Sequence, residues 1–363
     1  AASAASAQIT IGVSVSATGP GASLGVPIRN ALEIMPKTIA GQAVKLVILD
    51  DASDPAAGAK VLRQLDAADK VDVVIGSSAV PVAASQGTVA TEAKLPFIAL
   101  CPIRLDPAKQ AYVFAVPQPV PLMVEGVVAH MRAAGIKSVG FIGFTDAWGD
   151  LTFKAMADAA QAAGIKVTGQ ERYARTDTSV TGQVLKLLAT QPEAIFVGGS
   201  GTPGALPHVA FADRGFKGPI YNTHGVVNKD FIRVGGKGVD GALAPTGPLV
   251  VAEQLPDGHP LKTAGVEFNK KYESTYGAGS RNAFAGYAHD AFVVIAAAVP
   301  AALKQAKPGT AEFRQALRDA IAATKDVAGT HAVYSLSTSD HNGVDQRGRV
   351  MVKVEGGDWK LVR

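Results

Sequence analysis

His224 lies in YNTHGVVNKDF (221–231), a run with the outline of a strand ending in a loop that opens a helix. Strand-end loops are where α/β proteins place their chemistry. A histidine there can serve as a base, a metal ligand or a hydrogen-bond donor to a bound molecule. Serines stand at comparable places, in GSSAVP (76–81) and GGSG (198–201). In GSSAVP, Pro81 falls near the first turn of a helix, so the Ser77 and Ser78 hydroxyls would stand beside free backbone N–H groups at a positive helix end. That arrangement suits a carboxylate, because donors and dipole agree and no counter-charge need be buried. Ser77 is equally suited to capping the helix; Ser78 fits ligand contact better.

Other chemistries lack their parts. GSGTPG (199–204) matches G-x-G-x-x-G after a strand, but a dinucleotide site needs an acid at the end of the next strand, and that strand ends at Asn222. Pro203 inside the turn also favours a plain strand–helix loop. There is no G-x-S-x-G elbow and no H-E-x-x-H, and the seven histidines do not fall at metal-ligand spacing. Cys101 is the single cysteine, which excludes intramolecular disulfides and cysteine-rich metal sites. DHNGVD (340–345) has oxygen ligands but not the later Glu of a calcium loop, and Asn342-Gly343 fits a tight turn. Without a nucleophile–base–orienter set, the expectation is a protein that is not an enzyme and carries no cofactor or metal.

The elements that position these loops alternate strand and helix. Strands are expected at 8–15, 44–50, 71–76 and 96–100, with helices at 26–39, 55–68 and 80–94. The strand runs are apolar on both faces, as in a parallel sheet covered by helices, which implies a doubly wound α/β layer. Three prolines in PQPVP (117–121) break the pattern, and the rhythm restarts with strands at 138–144, 165–171, 194–199, 219–222 and 239–244. A second breaker cluster, APTGP (244–248), precedes helices near 260–276, 281–302 and 310–323. HAVYSL (331–336) reads as a strand, and RVMVKVEGGDWKLV (349–362) as a hairpin turning at Gly356-Gly357. The reading is two similar α/β lobes joined by several crossovers. Residues 1–118 and 249–328 form lobe 1, residues 119–248 and 329–363 form lobe 2, and hinges lie near 118, 248 and 329.

At 47% hydrophobic and 18% charged residues, the composition is that of a globular chain. The net charge of +4 comes from 35 basic and 31 acidic residues, scattered without the stripe that nucleic-acid binding requires. The longest apolar run, Ala288–Leu303, contains His289, Asp290 and Pro300, so membrane insertion is not expected. The N-terminal AASAASAQIT fits the remnant of an A-x-A cleavage site in an exported protein, and equally a cloning scar.

Six segments in order carry a resemblance: ITIGVSVSATGPGASLG (9–25), LVILDDASDPAAGAKVLRQL (46–65), DVVIGSSAVPVAAS (72–85), LPFIAL (95–100), DAWGD (146–150) and NAFAGYAHDA (282–291). The chain resembles the type I periplasmic solute-binding proteins of the leucine/isoleucine/valine-binding family, which serve ABC importers. The resemblance implies two Rossmann-like lobes with parallel-rich sheets and three crossovers, and a periplasmic or extracytoplasmic location. It also implies a ligand enclosed by hinge closure, and ABC permease and ATPase subunits as partners. The ligand contacts it implies are Leu24, where amino-acid binders often carry an aromatic residue, Ser77 and Ser78 in the serine loop, and Cys101-Pro102-Ile103 after the fourth strand. In the second lobe they are Trp148 in the D-x-x-(aromatic)-G loop, Thr202, and His224. Phe284, with Tyr287 nearby, adds aromatic contact.

Two departures bear on the ligand. Amino-acid binders use a Thr hydroxyl where this chain has 101–103, and commonly an acid for the α-ammonium where it has His224. A buried ammonium without an anionic partner is costly. The expected ligand is therefore a small carboxylate without an α-ammonium, such as an aromatic or branched-chain carboxylic or keto acid. The alternative is an amino acid whose ammonium meets another acid, for instance Asp146.

Overall fold

The run ITIGVSV becomes the centre of a six-stranded sheet in a computed structural model that describes residues 8–103, 105–106 and 109–362. The expected remnant at the N-terminus falls mostly outside those residues. The strands are β1 (Ile9–Val15), β2 (Thr38–Ile39), β3 (Gln42–Asp50), β4 (Val73–Ile75), β5 (Phe97–Ala99) and β6 (Val113–Ala115), in the order β2-β3-β1-β4-β5-β6. All neighbours are parallel except β2, which is antiparallel to β3. Parallel neighbours need crossovers, supplied by α1 (Ala22–Glu33), α2 (Pro55–Ala67) and α3 (Val80–Glu92). Ile11, Val13, Val73, Val74, Ile75, Phe97 and Ile98 are all buried, as strands covered on both faces should be.

The second sheet repeats this plan. After α4 (Val120–Ala133) come β7 (Ser138–Phe144), α5 (Ala147–Ala162), β8 (Lys166–Tyr173), α6 (Thr181–Ala189), β9 (Ala194–Gly198), α7 (Leu206–Asp213), β10 (Ile220–Asn222), α8 (Lys229–Gly235) and β11 (Leu243–Thr246). The parallel run β8-β7-β9-β10-β11 has the same sequence of first, second and later strands as β3-β1-β4-β5-β6. The order reverses between β1 and β4 in one sheet and between β7 and β9 in the other. In open α/β sheets, ligands bind beyond the carboxyl ends of strands at such reversals.

The last third contains α9 (Lys262–Tyr276), α10 (Ala283–Leu303), α11 (Ala311–Ala322), the small ribbon β12 (Val327–Ala328) with β13 (Val333–Tyr334), and the hairpin β14 (Val350–Glu355) with β15 (Asp358–Leu361). Gly356 and Gly357 turn that hairpin at φ 61° and 74°, as the sequence suggests. β14 extends the second sheet antiparallel to β11.

The contacts divide the chain into unit 1, running to Pro117 and including Phe284–Val344, and unit 2, comprising Gln118–Ala283 and the chain from Asp345. The chain passes from one unit to the other three times. Two expected boundaries differ. Residues 249–283 belong with unit 2, because Val250 and Val251 pack with Val352, Val354 and Trp359, and Asn269 donates to the Leu249 carbonyl. Residues 329–344 belong with unit 1. There Asp290 on α10 accepts from the Thr330 and His331 N–H groups and from Tyr334 OH, and Asn342 Nδ2 donates to the Ala115 and Pro117 carbonyls. The APTGP cluster is not wholly a break, since Ala244–Thr246 is strand. β10 pairs with β11 at Leu243, so the missing N–H of Pro245 falls beyond that pairing.

α10 is 21 residues long and apolar enough by length and composition to cross a membrane. Asp290 in its middle is nevertheless fully buried in hydrogen bonds within unit 1, which is how a core helix of a globular unit behaves. Burial would raise that carboxyl, but His289, His331 and the Thr330 backbone hold it below the ordinary value.

Candidate functional site

In unit 1 the site begins with the acidic loop after β3. Asp50 accepts from the Ala17, Thr18 and Ala52 N–H groups and from Thr18 Oγ1 at 2.6 Å, so it clamps the Gly-Pro loop that follows β1. Burial tends to raise this carboxyl, but the bonds from Thr18, Ala52 and Ala17 outweigh it and hold it below the usual value. Ser53 adds a second tie, accepting from the Gly21 N–H and donating to the Thr18 carbonyl. The fully buried Asp51 accepts from Ser14 Oγ at 2.9 Å, Ser16 Oγ at 2.7 Å and the Ser53 N–H at 3.0 Å. Ser16 Oγ in turn lies 3.3 Å from Ser77 Oγ. The loops after β1, β3 and β4 are thus one hydrogen-bonded assembly.

Ser77 and Ser78 occupy the turn between β4 and α3. The Ala79 N–H donates to Ser77 Oγ at a long 3.4 Å, so Ser77 is a weak cap as well as part of the Asp51 assembly. Ser78 is buried to 6% exposure, and its Oγ has no hydrogen-bond partner among the described residues. A buried hydroxyl left unbonded costs free energy unless something else fills the role. The loop after β5 joins this one, because the Leu100 N–H donates to the Gly76 and Ser77 carbonyls; Cys101 there is buried, and Pro102 and Ile103 are half-buried. Leu24 is buried on α1, next to Gly25, where a Cβ would stand 2.2 Å from the Ser16 carbonyl oxygen. Phe284 is buried at the start of α10, edge-on to Tyr287 at 5.8 Å.

Unit 2 repeats the device. Trp148 precedes Gly149 at the start of α5, and a Cβ on Gly149 would stand 1.9 Å from the Phe144 carbonyl oxygen. Leu24–Gly25 and Trp148–Gly149 therefore occupy matching places, each glycine letting a helix touch the end of its strand. Asp146 caps α5 through the Trp148 and Gly149 N–H groups, and its other oxygen accepts from Arg175 Nε at 2.5 Å. Arg175 also donates to Ser200 Oγ at 3.0 Å and lies over the Phe144 ring at 4.2 Å. Trp148 Nε1 and Thr223 Oγ1 both donate to the Gly199 carbonyl, at 3.1 and 2.7 Å. His224, 3% exposed, meets Trp148 edge-to-face at 5.5 Å. Thr202 opens the short helical turn after Gly201.

Trp148 and His224, 76 positions apart, are thus brought into contact, and Ser77, Ser78 and Cys101 into adjoining loops. Leu24 and Phe284 sit on helices of unit 1. Sequence reading missed Ser14, Ser16, Asp51, Gln86 and Arg175, and marked Ser200 only for its place after a strand. The LDDASDP and GGSG stretches were the available signals, but the pairings span 25 to 72 residues and depend on topology. Asn222, where a dinucleotide site would carry an acid, has its amide occupied by His208 Nε2 at 2.8 Å and the Leu243 carbonyl at 3.1 Å. Asn342-Gly343 forms the expected tight turn, with Asp340 Oδ1 accepting both N–H groups. Among the described residues no group of three or more His, Cys, Asp or Glu side chains could hold a metal ion.

Residues 8–358 match a family model described as periplasmic binding protein. The chain belongs to that family. An extracellular ligand-binding receptor from Rhodopseudomonas palustris HaA2 is 44% identical over 98% of this chain and 100% of the other, with a TM-score of 0.96. A Leu/Ile/Val-binding protein homologue from Brucella melitensis is 28% identical over 67% of this chain and 68% of its own length. A leucine-binding protein from Thermotoga maritima, 20% identical over 98% of both chains with a TM-score of 0.82, shares the fold. This periplasmic binding protein therefore has the type I architecture, and its relatives are named as binding proteins and receptors, not as enzymes.

Proposed function

We propose that this protein is an extracytoplasmic solute-binding protein that captures a small carboxylate between its two units by hinge closure and delivers it to the permease and ATPase subunits of an ABC importer. The favoured ligand is an aromatic or branched-chain carboxylic or keto acid. The observation that carries this reading is the state of Asp146. Both of its oxygens are engaged, one by the α5 N-terminus and one by Arg175, so it is not an open anion for an α-ammonium. His224 stands where amino-acid binders commonly carry an acid, and a histidine can donate to a carboxylate. Ser78 at the start of α3 supplies a buried hydroxyl beside a helix N-terminus, and the Trp148 wall supplies aromatic surface. Closure is stabilised only by contacts that are stronger in the closed state than in the open one.

The second reading is a branched-chain amino acid, favoured by the name of the Brucella relative. Calorimetry with phenylpyruvate, benzoate, 4-methyl-2-oxopentanoate, leucine, isoleucine and phenylalanine separates the two. Binding of the acids supports the carboxylate reading; tight binding of leucine with none of the acids overturns it.

A further inference from the structure

We infer that Asp51 is a positioning residue that fixes the direction of the unit 1 hydroxyls, committing the Ser77 proton to Ser16 and leaving Ser78 as the hydroxyl that donates to a ligand anion. The ligand part of this rests on the carboxylate reading above; the direction of the hydroxyls does not.

The number of protons each group carries sets these directions. A carboxylate has none to give, so every group bonded to Asp51 must donate. Three do: the Ser53 N–H and Ser16 Oγ to Oδ1, and Ser14 Oγ to Oδ2. Each hydroxyl has one proton. Ser14, having spent its own, accepts from Gln86 Nε2 at 2.6 Å. Ser16, having spent its own, accepts at the 3.3 Å contact with Ser77, so Ser77 is the donor there. The Ala79 N–H already points at Ser77 Oγ, consistent with an oxygen that receives from the helix side. All of these side chains are completely buried, so water does not compete for the protons.

Ser77 therefore spends its proton on Ser16 and has none to give an anion. Ser78, one residue later, has no such link and no hydrogen-bond partner among the described residues. Two adjacent serines in the same turn thus have different roles, set by an acid 26 residues earlier in the chain. A hydrogen bond to a charged group is worth about tenfold or more in affinity, and only Ser78 is placed to give one.

Neutron diffraction from crystals of the perdeuterated wild-type protein reads the direction itself. The expected result is a deuteron on Ser16 Oγ directed at Asp51 Oδ1, and one on Ser77 Oγ directed at Ser16. A deuteron on the Asp51 carboxyl, or a Ser16 deuteron directed at Ser77, overturns the inference. Calorimetry with phenylpyruvate reads the consequence. Ser78→Ala should lower affinity by about tenfold or more and Ser77→Ala by less than threefold, with thermal melting confirming that both variants fold. Equal losses, or a larger loss from Ser77→Ala, contradict the assignment. Absence of phenylpyruvate binding by the wild type would count against the carboxylate reading, and the deuteron positions would still decide the role of Asp51.

Discussion

Asp146 looks from the sequence like a spare acid for an ammonium; beside Arg175 it is a helix cap with its second oxygen occupied. The two residues are 29 positions apart, and nothing in their local sequence pairs them. His224 is the reverse case, since its place at a strand end and the resemblance both single it out before any geometry is known. Its contact with Trp148 then makes it part of an aromatic wall. His224→Ala should weaken phenylpyruvate binding roughly tenfold, by loss of a donor to a charged group, while leaving the melting temperature within a few degrees of wild type. Calorimetry and a thermal melt check both halves. Unchanged affinity would make His224 only a packing partner of Trp148.

At the scale of elements, the parallel strands were readable because strands covered on both faces are continuous apolar runs. The second crossing was not. It was expected at APTGP, but Pro245 sits in a strand pairing antiparallel with β14, and the following segment packs on the hairpin that ends the chain. Such pairing between distant segments leaves no local signal. The glycine of DAWGD was legible as a motif, but its reason needs coordinates: α5 meets β7 backbone to backbone. Gly149→Ala should destabilise the protein by about 3 kcal/mol, since a backbone carbonyl cannot rotate away as a side chain can. Urea denaturation tests this, and a loss under 1 kcal/mol would show that the helix shifts at little cost. His208 ties α7 to β10, and burial pushes its pKa down to about 4 even though its bond to Asn222 acts the other way. Its unfolded value is near 6.5, so between these limits the unfolded state binds the proton. The contribution is complete above about pH 6.5 and is lost as pH falls toward 4, on the order of 3 kcal/mol. The stability of the wild type should therefore fall more steeply over that window than that of His208→Gln. Parallel profiles would contradict the neutral, buried state of this ring.

For the whole molecule, two units of one strand order each gather their polar groups beyond the carboxyl ends of their strands, at the reversal of that order. That duplication was visible as a restarting rhythm after PQPVP. The polar assemblies were not, because hydroxyls and acids from separate loops meet only when the sheet order is known. Unit 1 has an unbonded buried hydroxyl, Ser78, at a helix start, and unit 2 an aromatic contact of Trp148 with His224 and an acid already bonded to arginine. The proposed ligand, an anion with apolar bulk, draws on chemistry that each unit carries by itself. The most direct test is side-by-side calorimetry of phenylpyruvate and phenylalanine, which differ by a keto group in place of the α-ammonium. Phenylpyruvate should bind at least tenfold more tightly; a preference for phenylalanine would contradict the carboxylate proposal.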